Sequence, residues 1–280
     1  MVKHISLLLF IAILISCANR SRNSEYARLI KGDWFGGEQI RDSMYYHPIF
    51  ITFDDSTYRI PSLNKVIKYK VVKGYLFIAN QKGKLKKYTI VKLTTDSLIY
   101  LSGPKRRDTL KFSKIHPKNN ITPSAIYFAS SGCFGKCPIM QLQIDSNRNI
   151  RFYGDWNTST IGYYKGKISE NVYNSIVGRI RNLPVDSLKE YYEAPWTDDQ
   201  TLGIAIAHGN TVTRSTAYGH YKEPKELHLL FTQLMNLHKE LSLQSDSLVK
   251  QEGILSDPLL KSMTDLLDPP LNAIPGSIAH

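Results

Sequence analysis

Apolar and polar residues alternate in short runs through the first part of the chain. Lys68-Tyr69-Lys70-Val71 and Lys86-Lys87-Tyr88-Thr89-Ile90 carry the period of two of half-buried strands. Runs of this kind at 49–53, 57–60, 66–71, 75–79, 85–93, 98–101 and 109–112 are separated by Asp54-Asp55-Ser56, Pro61, Lys73-Gly74 and Asn80-Gln81-Lys82-Gly83. Strands this short and this regularly punctuated predict an antiparallel barrel or sandwich.

The pattern changes beyond residue 120. Apolar runs at 124–129, 138–144 and 150–154 flank the turn-forming Asp145-Ser146-Asn147-Arg148-Asn149 and predict a hairpin, with a further strand at 163–168. Ser169 then reads as an N-cap. Val172, Ile176, Ile180 and Leu183 follow at helical spacing until Pro184 stops them. A second hairpin spans 202–207 and 211–215 across His208-Gly209-Asn210. A last helix starts near Glu223-Pro224 with the stripe Leu227, Leu230, Phe231, Leu234, Leu237 and Leu241. Two hairpins plus two helices make an α+β domain.

Charge supports a division between the two patterns. Residues 18–118 hold 21 basic and 8 acidic side chains, whereas residues 119–240 hold 12 and 11. The change falls at the turn-rich His116-Pro117-Lys118-Asn119-Asn120.

The N-terminus bears on compartment. Lys3 precedes an uncharged, mostly apolar run over 5–15, followed by Ser16-Cys17. That layout is a secretory signal, and the run is too short to span a bilayer as a helix. Leu14-Ile15-Ser16-Cys17 resembles a bacterial lipobox, which implies that Cys17 is lipidated and becomes the first mature residue. Several acyl chains on one residue anchor a protein stably. The expected organisation is signal peptide and lipidated Cys at 1–17, a polar tether at 18–28 and a β domain at 29–116. An α+β domain at 121–241 and a partly disordered tail at 242–280 complete it.

With Cys17 set aside, Cys133 and Cys137 remain. An oxidising compartment and an even remainder point to a disulfide between them. A thiol-redox role is weaker, because the spacing is Cys-x3-Cys and no βαβ pattern surrounds it. A metal site built from Cys133, Cys137 and His208 or His220 lacks zinc-ligand spacing.

Two further resemblances carry the domains. Leu29-Ile30-Lys31-Gly32-Asp33-Trp34 resembles the Gly-x-Trp opening of lipocalin-like lipoprotein domains, and Tyr69-Lys70-Val71, Leu76-Phe77-Ile78 and Tyr88-Thr89-Ile90-Val91-Lys92-Leu93 are similar to the rest of that pattern. This implies a small barrel with Trp34 packed at its closed end. Cys133-Phe134-Gly135-Lys136-Cys137-Pro138 resembles a bacterial family of unknown function built around Cys-Phe-Gly-x-Cys-Pro. Gly154 and Thr197-Asp198 fit its later positions, and Asn149 departs from the Gly of its first hairpin turn. The fold class is therefore a small antiparallel, lipocalin-like barrel followed by an α+β domain.

Three sets of residues are candidates for function. The adjacent carboxylates Asp198 and Asp199 lie in the loop Trp196–Gln200, where such a pair either binds a cation, acts as acid and base, or shapes a turn. His220 sits in the loop before the last helix. The cations Lys82, Lys84, Lys86, Lys87, Lys105, Arg106 and Arg107 suit anionic lipid or glycan. Nucleic acid is not an expected partner in this compartment, and no protein partner is identified. Hydrolase, metalloprotease and nucleotide-loop signatures are absent from the sequence. The expectation is a non-catalytic binding or scaffolding lipoprotein of the bacterial envelope, at the outer membrane rather than the inner. It has no cofactor, no assigned catalytic residue and no assigned metal ligand. The alternative is an extracytoplasmic thiol-redox or metal-assisted enzyme centred on Cys133 and Cys137.

Overall fold

The computed structural model describes residues 24–36, 49–60, 65–80, 82–101, 109–261 and 263–267. Cys17, the cations Lys105, Arg106 and Arg107, and the tail beyond 267 lie outside the described residues. The chain divides into two compact units, Met1–Ile115 and His116–His280.

Among the described residues the first unit opens with a helix, α1, over residues 24–30, which overlaps the end of the expected tether at 18–28. Its one-sided apolar residues account for this. Leu29 and Ile30 are buried and Tyr26 packs beside them on the barrel core. Eight strands follow: β1 (Gly32–Gly36), β2 (Ile49–Phe53), β3 (Thr57–Ile60), β4 (Lys65–Val72), β5 (Tyr75–Ala79), β6 (Leu85–Leu93), β7 (Ser97–Leu101) and β8 (Thr109–Lys114). Each pairs with its neighbour, and β1 also pairs with β8, so the antiparallel sheet closes into a barrel with no free edge.

Local chemistry sets the strand ends. Lys73 and Gly74 both take positive φ, 49° and 78°, as a two-residue hairpin turn between Val72 and Tyr75 requires. The Asn80 side-chain oxygen accepts hydrogen bonds from the backbone N–H groups of Lys82 and Lys84. The barrel interior is filled by side chains. Phe53 packs against Tyr58 and Tyr69, and Tyr100 against Tyr88 and Phe112, with ring centroids 4.9–5.8 Å apart. Trp34 is fully buried in the same core. Its indole donates to the Ile30 carbonyl at 2.7 Å, and Lys114 Nζ donates to the Leu29 carbonyl at 2.8 Å. The last carbonyls of α1 are thus satisfied by barrel residues.

The second unit is built on an eight-stranded sheet in the order β13-β15-β14-β9-β10-β11-β12-β16. Its strands are β9 (Ala125–Ser130), β10 (Ile139–Asp145), β11 (Asn149–Trp156), β12 (Gly162–Lys167), β13 (Tyr191–Glu193), β14 (Thr201–His208), β15 (Thr211–Tyr218) and β16 (Gln244–Ser245). All pairings are antiparallel except β13 with β15. Helices α2 (Glu170–Asn182) and α3 (Lys225–Leu237) cover one face, where Ile126, Phe128, Leu142, Phe152 and Ile204 meet Ile176, Ile180, Leu230, Phe231 and Leu234. Ser169 caps α2 through its hydroxyl, which accepts from Val172 N–H. At the other end of α2, Asn119 Nδ2 donates to the Ile180 and Leu183 carbonyls at 3.0 and 2.9 Å. The expected linker is therefore part of this unit, docked on the exposed carbonyls of a helix end.

The opposite face holds the first part of the stretch expected to be a partly disordered tail, 242–280. Helix α4 (Ser247–Glu252) and residues 253–261 and 263–267 lie across it. Val249, Ile254, Leu260 and Leu266 bury Ala125, Tyr127, Ala129, Ala205 and Ala207. Polar contacts fix this strap. Gln143 Oε1 accepts from Ser256 N–H at 2.8 Å, Arg151 pairs with Glu252 at 2.7 Å, and Thr216 Oγ1 donates to the Leu266 carbonyl at 2.7 Å. Small residues on β9 and β14 make room. A Cβ on Gly203 would meet Leu266 Cγ at 2.7 Å. Leu260→Ala, which empties a fully buried site on this face, is expected to lower the stability of the second unit by about 2–5 kcal/mol in chemical denaturation. An unchanged denaturation midpoint would contradict the packing of the strap.

Candidate functional site

Strand register gathers the loops of the second unit at one end of its sheet. Ser130 pairs with Leu202, Ile139 with Trp156, Thr201 with Tyr218, and Glu193 with Tyr218. The connections 131–138, 157–161, 194–200 and 219–224 therefore all leave from that end.

The 131–138 loop is closed by the Cys133–Cys137 disulfide, with Cα atoms 5.7 Å apart. It also meets the Asp198 loop. Phe134 N–H donates to the Asp198 carbonyl at 3.0 Å, and Ser131 N–H to the Thr201 carbonyl at 2.9 Å. Between the loops lies Gln200, buried, whose Nε2 donates to the Ser131 and Pro138 carbonyls at 2.9 and 2.8 Å. Phe134 itself is 93% exposed, so the frame holds an aromatic ring out in solvent.

Asp198 and Asp199 play different parts. Asp198 is exposed, with φ of 67°. Both oxygens of Asp199 are engaged: Oδ2 accepts from Trp196 Nε1 at 2.9 Å and Oδ1 from Gln200 N–H at 2.7 Å. Its own N–H donates to Tyr218 Oη at 3.1 Å. These bonds make Asp199 a shaper of the loop, as short acidic side chains often are.

His220 does not join the two aspartates. It belongs to a cluster that sequence reading did not assemble. β15 ends at Tyr218, and Gly219 and His220 follow with φ of 74° and 49°. Gly219 is confined sterically as well, since a Cβ there would meet the Ala194 Cβ at 2.5 Å and Trp196 Nε1 at 3.0 Å. The turn brings His220 Nδ1 to 3.1 Å from Glu223 Oε1. His228, in the first turns of α3, brings its own Nδ1 to 2.9 Å from the same oxygen. The two rings lie 4.8 Å apart at 63°. The Glu223 side chain is only 1% exposed, and those of the histidines 23% and 22%. Burial alone would raise the Glu223 pKa, but the hydrogen bonds and charges of His220 and His228 outweigh it and hold the carboxyl at about 2. The spacing His220-x2-Glu223-x4-His228 was present in the sequence. In the sequence Glu223 marks only a helix start, and a pattern straddling a loop and a helix has no periodicity to reveal it.

The 157–161 loop is tied to the far end of α3. His238 Nδ1 accepts from Ser159 N–H at 2.8 Å, and Ser159 Oγ donates to the His238 carbonyl at 2.6 Å. Burial, with the Lys239 charge adding to it, lowers the His238 pKa from 6.5 to about 4.

Of the expected basic residues, Lys82, Lys84, Lys86 and Lys87 lie among the described residues and are exposed. Lys86 and Lys87 are neighbours on β6 and so point to opposite sides of the barrel wall. Lys87 Nζ lies 3.5 Å from the Tyr75 ring centroid and Lys86 Nζ 5.2 Å from that of Tyr88. Lys82 and Lys84 are exposed in the β5–β6 turn.

Two outcomes follow for this end of the second unit. Gln200→Ala, which leaves two loop carbonyls without their donor, is expected to cost about 1–3 kcal/mol in denaturant titration; no loss would contradict the bridging role. His238 binds a proton more weakly folded than unfolded. Its contribution is full above pH 6.5 and is lost as pH falls through about 4, so stability declines on acidification across that window. Thermal midpoints measured from pH 7.5 to 4 should show a shallower decline in His238→Gln than in the native protein.

No curated protein matches this chain. Residues 124–238 match the model of a family described as a domain of unknown function, DUF6438. That span runs from the start of β9 to the end of α3 and takes in all four loops and the His220–Glu223–His228 cluster. The matched span thus covers most of the second unit, and the C-terminal strap that closes one face of its sheet lies outside it.

Proposed function

We propose that the protein is a lipid-anchored lipoprotein of the bacterial envelope with a non-catalytic binding or scaffolding role. The observation that carries this reading is Leu14-Ile15-Ser16-Cys17 directly after an apolar run, the arrangement of a lipobox. Pairing of Cys133 with Cys137 supports it, because Cys17 is then the one cysteine of three outside a disulfide, and disulfides belong to oxidising compartments. The barrel, with Trp34 after Gly32 on its first strand, is consistent with a lipocalin-like domain near the anchor.

The binding role is supported by side chains at the loop end of the second unit. Phe134, Trp156, Ile161 and Tyr221 are large, apolar and exposed there. Phe134 stands on a loop fixed by a disulfide and by the Asp198 carbonyl, so little further ordering is needed to bury it against a partner. Aromatic residues held in this way are favoured in interface cores. The cations Lys82, Lys84, Lys86 and Lys87 add attraction to anionic lipid headgroups or glycans near the membrane.

The anchor is tested in cells by metabolic labelling with a fatty acid. The native protein should take up label and fractionate with membranes, and Cys17→Ser should lose both; label retained by the variant would refute the reading. The cationic contribution is tested with unlipidated protein and anionic vesicles in flotation. Association is expected at low salt, falling severalfold at 0.5 M salt. An absence of association at low salt would rule out the lysines as a membrane-facing element.

A further inference from the structure

The cluster of His220, Glu223 and His228 has the composition and geometry of a metal site. Two imidazoles and one carboxylate each offer a ligand atom, and these atoms all lie within 4.8 Å of one another. Three ligands placed about 2.0–2.1 Å from a tetrahedral zinc ion lie roughly 3.3 Å apart. The separations from Glu223 Oε1 are 3.1 Å to His220 Nδ1 and 2.9 Å to His228 Nδ1. Shifts of a few tenths of an ångström admit an ion.

A second observation points the same way. Glu223 Oε2 is buried and finds no hydrogen-bond partner among the described residues. A buried carboxylate oxygen without a donor is costly, and native proteins rarely leave one so. A cation beside the carboxylate would remove that cost. The backbone is also committed to this placement. Gly219 and His220 hold left-handed conformations, and Pro224 sets the start of α3 so that His228 falls one turn inside it, its N–H donating to the Pro224 carbonyl at 3.0 Å. The histidine side chains are about one-fifth exposed, which gives an ion a route in from solvent.

We infer that His220, Glu223 and His228 bind one divalent transition-metal ion of the zinc class, with at least one coordination position left for water or an incoming ligand. The donor set selects the class. Calcium and magnesium prefer all-oxygen shells, and thiolate-preferring ions find no sulfur here, whereas zinc accepts two imidazoles and a carboxylate. Coordination requires each ring to present a lone pair to the ion. A neutral ring carries its hydrogen on the other nitrogen, and a protonated ring releases one proton to solvent. The site is independent of Cys133 and Cys137, whose sulfurs are bonded to each other, and of the lipid anchor.

The test uses the untagged full-length protein, stripped with a chelator and titrated with zinc chloride by isothermal calorimetry. One zinc per chain is expected, with a raised thermal midpoint. Glu223→Gln and His228→Ala should each weaken the affinity at least tenfold, while the double variant Cys133→Ser/Cys137→Ser binds as the native protein does. Glu223→Gln keeps the shape of the buried side chain. Circular dichroism on each variant separates loss of ligand from loss of fold. Cobalt added in place of zinc should give the visible bands of a low-coordinate nitrogen and oxygen site, without the intense near-ultraviolet absorption of a cobalt–thiolate bond. The inference is overturned if zinc does not bind stoichiometrically, if folded Glu223→Gln and His228→Ala both bind as tightly as the native protein, or if the cysteine variant alone loses binding.

Discussion

Strands β9 and β14 are buried on both faces, and the second unit is arranged around that requirement. Every residue of β9 is buried, as are the six central positions of β14. A sheet centre of this kind needs an apolar layer on each side. Helices α2 and α3 supply one through their leucine and isoleucine stripes, and the strap of residues 247–261 and 263–267 supplies the other. The two layers differ in character. The helical side meets large side chains, Phe128 and Phe152 among them. The strap side meets alanines and Gly203, which let a thin, irregular segment lie close to the backbone.

The same strands hold the loop end of the sheet in place. Because β9, β14 and β15 are in fixed register, the disulfide loop, the Asp198 loop and the His220 turn emerge side by side. Gln200 sits at the junction as a buried donor to two loop carbonyls, and Gly219 lets β15 end in a turn against Trp196. Rigid strands presenting short, cross-bonded loops are suited to holding a site in a preset geometry.

Much of this was legible in the sequence, for identifiable reasons. Strands β2 to β8 follow from short apolar runs and from turn residues with one clear role each, such as Lys73-Gly74, whereas β1 carried only the Gly32-x-Trp34 resemblance. Ser169 and Pro184 frame α2 as capping chemistry predicts. What stayed hidden depends on distant partners. β13 is three residues long and earns its place only by parallel pairing with β15. The strap has weak periodicity, because its apolar residues fit gaps in strands far earlier in the chain. The Glu223 cluster joins a turn to a helix, so neither the strand period nor the helix period announces it. Asp198 and Asp199 were conspicuous as a pair, yet backbone and indole donors use up both oxygens of Asp199.

The strap also sets an order of assembly. All strands of the first unit lie before residue 116, so the barrel has its full set of partners while the rest of the chain is still being made. The second sheet has its helices by Leu237, but Ala125, Tyr127 and Ala205 stay open to solvent until Leu260 and Leu266 have left the ribosome. A chain stalled or clipped a few dozen residues early would hold every loop at that end of the sheet yet expose a sticky sheet face. Quality control would then see the missing segment as an aggregation-prone surface rather than as a lost activity.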